Sequence, residues 1–151
     1  IAVIHAGAVK DPKVKAIMLM ATHVLNEESV VNSIQEAKIA YDTSNLRQGL
    51  AKYHGDNVDC AFRGWNDVWL HPDFWHWNIE EFLPGIEIPT LVMQGVDDQY
   101  GSAAQVKAIE AGLNCPTETI LIEGARHSPH LDQPAATIKA MINFIKQQGI
   151  S

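Results

Sequence analysis

The chain has 151 residues, 46% hydrophobic and 19% charged, with a formal net charge of -7 at pH 7. That is the size of one domain with a sizeable core, and the acidic balance argues against nucleic acid as a partner, since that binding neutralises phosphate with cations. No apolar run approaches the roughly 20 residues of a membrane helix, so neither a spanning segment nor a membrane partner is expected.

In chain order, Ile1 to Lys10 reads as a helix, apolar on most faces and lacking a capping residue. Asp11-Pro12 interrupts it, and Val14 to Ala21 follows as an almost unbroken apolar run, the pattern of a parallel strand covered on both faces. His23 falls just past the carboxyl end of that run. A histidine there serves as a hydrogen-bonding group, a wall of a substrate pocket, or a catalyst.

From Asn26 to about Ile86 the pattern turns helical. Val30, Ile34, Ala37 and Tyr41 recur at helical spacing after a start at Asn26. Thr43 is placed to cap a second helix carrying Leu46, Leu50 and Tyr53, ended by Gly55. Asp56 or Asn57 can cap a third, with Val58, Phe62, Trp65 and Trp69 on its stripe, and a short fourth is expected over 78–83. Phe62, Trp65, Trp69, Phe74, Trp75, Trp77 and Phe82 crowd into this segment. They build the core of a small helical layer, or some of them line an apolar pocket, with Trp65 and Trp69 the best placed because they share a face.

The apolar run Pro89 to Gly95 is a second strand and delivers Asp97 and Asp98 at its carboxyl end. A crossover helix follows, opened by Ser102 to Gln105 in the form of a capping box and buried through Val106, Ile109 and Leu113. Glu118 to Glu123 is the last strand, and His127 comes after a Gly turn. Asp132 and Pro134 then open a final helix with Ile138, Met141, Ile142 and Ile145 on its core face. In an open α/β sheet, reactive groups sit beyond the carboxyl ends of the strands, so an acid and a base emerge on one rim.

The order strand, Gly95-x-x-Asp98, helix, strand, Gly124-x-x-His127, helix resembles the C-terminal half of an α/β-hydrolase. The resemblance implies a partial α/β-hydrolase fold, with three parallel strands near 14–21, 90–94 and 118–123, flanking helices, and a helical cap near 27–83. Residues 1–25 and 86–151 would form the core and 26–85 the cap that roofs the active site. It makes Asp98, rather than Asp97, the acid that orients His127, and His127 the base that activates a serine. It also implies hydrolysis of an ester, lactone or related acyl bond in a small apolar substrate, with no cofactor. Trp65, Trp69 and His23 are the expected substrate-binding residues.

No Gly-x-Ser-x-Gly elbow occurs in the chain, so the nucleophile is expected upstream of Ile1. The expected macromolecular partner is the N-terminal half of the same fold, or a second copy joined through the exposed edge strand. Ser128 is a poor substitute nucleophile, because adjacent side chains rarely let one ring nitrogen reach the other's oxygen. A remnant serving as an interaction module is the alternative. A metal-dependent hydrolase using His71, His76, His127, His130 and Asp132 is another, although no zinc-ligand spacing is present and no metal site is expected; Asp132 reads better as a helix cap. Cys60 and Cys115 are too few for a disulfide framework and fit a reducing cytoplasm.

Overall fold

The computed structural model describes residues 1–150. In chain order these form α1 (Ala2–Ile4), β1 (Ile17–Met20), α2 (Glu28–Thr43), α3 (Leu46–His54), α4 (Val58–Trp69), β2 (Thr90–Gly95), α5 (Ala103–Gly112), β3 (Thr117–Ile122), α6 (Pro129–Asp132) and α7 (Pro134–Gln147). Two compact units result, one from Ile1–Leu25 and Asn78 onward, the other from Asn26–Trp77.

The first unit holds a parallel sheet in the order β1-β2-β3. The central strand β2 is buried along its whole length, which requires cover on both faces and explains the apolar run Leu91-Val92-Met93 at its centre. On one face Leu91 and Met93 pack with Ile122, Ala125, Ala140 and Phe144, joining β2 and β3 to α7. The crossover helix α5 is capped by Ser102, whose Oγ accepts from the Ala104 N–H at 3.0 Å. It buries Val106 and Ile109 as their spacing predicts.

Three expectations for this unit need correction. β1 is shorter than 14–21 because it pairs only from Ile17 opposite Thr90 to Met20 opposite Met93; Val14 turns back to the Asp11 carbonyl, and Ala21, at φ 48°, breaks the extended run. The helix expected at 78–83 is a 3-10 segment, Glu80–Gly85, entered by an Asn78 Oδ1 bond from the Glu80 N–H at 2.7 Å. It belongs with the sheet unit, so the boundary falls after Trp77 rather than after 85. Finally, α7 buries Thr137, Ala140 and Phe144, while Ile138 and Ile142 are 54% and 44% exposed. Small residues at 137 and 140 let the helix approach the sheet, and the bulkier isoleucines are turned outward.

The second unit is built by α2, α3 and α4 around Tyr41, Val58 and Phe62, with Leu46, Leu50 and Trp65 packed against them. Tyr41 stacks on Phe62 with ring centroids 3.8 Å apart, and its hydroxyl donates to Asp59 at 2.7 Å. Arg47 grips the same carboxylate through two N–H groups at 2.9 and 2.6 Å. Those bonds, Arg47's first and Tyr41's second, hold the Asp59 carboxyl well below its ordinary range. Thr43 does not cap α3: it is the last residue of α2 and donates to the Ile39 carbonyl, while the Ser44 hydroxyl accepts from the Leu46 N–H. Tyr53, expected on the buried face, is 86% exposed.

Candidate active site

The rim of the sheet unit is shaped by close backbone approach. A Cβ on Gly95 would collide with the carbonyl oxygens of Ala125 and Arg126, so only glycine lets the His127 loop pass over the end of β2. Beyond β2, Val96 N–H donates to the Ile122 carbonyl at 3.1 Å and Asp97 N–H to the Ala125 carbonyl at 3.0 Å. Backbone bonds thus tie the two chains together beyond the paired strand ends. A turn from the Asp98 N–H to the Gly95 carbonyl then swings Asp98 inward.

His127 arrives by a complementary route. β3 ends at Ile122, and Gly124 takes the left-handed conformation at φ 67°, reversing the chain. Arg126 N–H is held by Asp132 Oδ2 at 2.8 Å, and the Gln133 side chain donates to the Gly124 carbonyl at 3.3 Å. Asp132, expected to cap the final helix, is instead the last residue of α6 and pins the loop that carries the histidine.

The two side chains meet. His127 Nδ1 lies 3.0 and 3.1 Å from the Asp98 carboxylate oxygens. The Asp98 side chain is only 1% exposed and that of His127 35%; Asp97 is exposed. Asp98 Oδ1 also accepts from the N–H groups of Tyr100 at 2.9 Å and Gly101 at 3.2 Å. Burial alone pushes the Asp98 carboxyl up, but the His127 bond and the two backbone donors outweigh it and leave the group below its ordinary value. An ionised carboxylate there favours the Nδ1–H form of the imidazole, with Nε2 as the basic nitrogen.

Two rings flank His127 edge-on: Tyr100, with centroids 5.2 Å apart, and His23, at 5.8 Å. His23 therefore belongs to this cluster. Tyr100 was not foreseen, although its place two residues after the acid was an available signal. Trp65 and Trp69 lie in the second unit, where Trp65 meets Phe62 edge-on at 5.7 Å and Trp69 meets Phe74 and Trp77 at 5.1 and 5.5 Å. Among the described residues no group of three or more His, Cys, Asp or Glu side chains is placed to hold a metal ion. No helix among them is long and apolar enough to cross a membrane.

Three parallel strands with flanking helices are found in solved structures of α/β-hydrolases, and the chain has part of that fold. It matches a putative non-heme bromoperoxidase, BpoC, from Mycobacterium tuberculosis H37Rv at 17% identity and a TM-score of 0.60, covering 89% of this chain and 59% of that one. A serine hydrolase involved in carbazole degradation, CarC, matches at 16% identity and a TM-score of 0.67, covering 95% and 58%. A membrane phospholipase A described as a bacterial virulence factor matches at 18% and 0.71, covering 99% and 54%. The chain thus spans little more than half of each. No family model and no curated protein sequence matches it.

Proposed function

We propose that Asp98 and His127 are the acid and base of a serine-type hydrolase acting on an ester, lactone or related acyl bond in a small apolar substrate. The observation that carries this reading is the 3.0 Å bond between a buried carboxylate and a half-exposed imidazole at the ends of neighbouring parallel strands. In this reading the nucleophilic serine comes from sequence outside these 151 residues, because they contain no Gly-x-Ser-x-Gly elbow.

His127 Nε2 takes the hydroxyl proton as the serine oxygen attacks the carbonyl carbon, and the imidazolium then gives that proton to the departing alkoxide, leaving an acyl-enzyme. Water repeats the sequence: its proton goes to His127, its oxygen to the acyl carbon, and the serine leaves reprotonated. Asp98 stays ionised throughout, holding the Nδ1–H and stabilising the imidazolium. His23 would contribute a wall beside the base. The two free thiols, Cys60 and Cys115, agree with a cytoplasmic setting.

The absent elbow also favours a second reading, in which the piece is a non-catalytic interaction module. A fluorophosphonate probe separates the two. The 151 residues alone should remain unlabelled, since the base has no nucleophile to activate. Supplied with an N-terminal segment bearing the elbow serine, the protein should label at that serine and lose labelling on His127→Ala. No labelling in the longer protein favours the interaction module, and labelling of Ser128 or Ser102 in the short one overturns the assignment of the nucleophile.

A further inference from the structure

Gln94, the penultimate residue of β2, is a polar side chain only 4% exposed, following the apolar Leu91, Val92 and Met93. Its Nε2 donates to the carbonyl oxygens of Gly101 and Ser102, the latter at 3.2 Å. Both carbonyls belong to the loop that follows Asp98. The Gly101 N–H in turn donates to the Asp98 carboxylate at 3.2 Å, and that carboxylate holds His127 Nδ1. An unbroken series of hydrogen bonds therefore runs from the rigid strand to the imidazole: Gln94, Gly101, Asp98, His127.

Gly101 is the point of convergence. A Cβ built on it would stand 3.4 Å from Gln94 Nε2 and 3.5 Å from both Asp98 Oδ2 and His23 Nε2, so these groups close around one small residue. Gly101 is itself buried, and its carbonyl needs a donor. A carboxamide suits the task because its NH2 group carries two hydrogens and can serve both carbonyls. Leucine offers no donor, and a shorter amide at 94 would fall a methylene short.

We propose that Gln94 is a positioning residue: by fixing the Gly101–Ser102 backbone from β2 it sets the orientation in which the Asp98 carboxylate holds His127 in its Nδ1–H form. This rests on the reading of Asp98 and His127 as acid and base, and the test separates the two. The readouts are the ring-nitrogen NMR signals of His127, which report the tautomer, and the carboxyl carbon signal of Asp98 followed through its titration. Both are recorded on the full chain.

Gln94→Leu should cost His127 its protected Nδ1–H resonance, increase the other tautomer, and move the Asp98 titration upward as the Gly101 N–H is lost. Should Gln94→Leu fail to fold, the milder Gln94→Asn decides by the same signals. Ile109→Val, a core truncation in α5 remote from this hydrogen-bond series, should leave both readouts unchanged. The proposal is overturned if a folded Gln94 variant keeps the wild-type tautomer and titration, or if Ile109→Val shifts them equally. If Asp98→Asn leaves the His127 tautomer unaltered, the acid–base reading fails first and the role of Gln94 falls with it.

Discussion

At the scale of single residues, Asp98 is buried yet ionised more readily than a free carboxyl, through its His127 bond and two backbone donors. A depressed folded value means that its stabilising contribution is complete above the unfolded value of about 3.9 and is lost as pH falls through the lower folded value. Asp98→Asn should therefore lower the urea midpoint relative to wild type at pH 7, with the gap narrowing as the medium is acidified below about pH 3.9. An equal gap at all pH values would contradict the assignment. Gly95 makes a steric counterpart: Gly95→Ala places a methyl against two carbonyl oxygens. We expect roughly 1–3 kcal/mol of destabilisation, the usual range for overpacking, together with loosening of the Asp98 to His127 bond seen by NMR.

At the scale of elements, α7 shows how packing selects among apolar residues. Phe144 is 1% exposed and sits in the sheet cluster, whereas Ile142 is 44% exposed. Phe144→Ala should cost about 3–5 kcal/mol in urea unfolding, and Ile142→Lys should stay within about 0.5 kcal/mol of wild type. The reverse order would restore the isoleucine stripe as the core face. The loops obey a related rule, since Asp132 and Gln94 each use a side chain to hold backbone that no strand or helix holds.

At the scale of the whole molecule, β1 lies at one edge of the sheet. Ile17 and Ala21 direct their N–H groups to the Pro89 and Met93 carbonyls, so strand alternation turns those of Met18 and Met20 to the outer edge. An apolar edge with unpaired donors and acceptors favours pairing with another chain. We expect the 151-residue protein to associate in a concentration-dependent way in sedimentation velocity, and Met18→Pro, which removes an outward N–H while sparing the β2 ladder, to weaken that association. A wild-type monomer at all concentrations would count against the edge as an interaction surface.

Much of this protein was legible in its residues. Apolar runs mark the strands, helical spacing marks the segments between them, and the strand ends bring Asp97, Asp98 and His127 to one rim; the choice of Asp98 over Asp97 rests on the resemblance to an α/β-hydrolase half. What remained hidden depends on which elements come alongside one another. The true ends of β1 follow from where β2 runs beside it, the buried face of α7 from how closely it approaches the sheet, and the tasks of Asp132, Tyr100 and Gln94 from loops distant in sequence converging on one rim. Periodicity and capping are local properties and can be read along a chain; hydrogen bonds from a side chain to a remote backbone exist only once the tertiary structure has brought the two together.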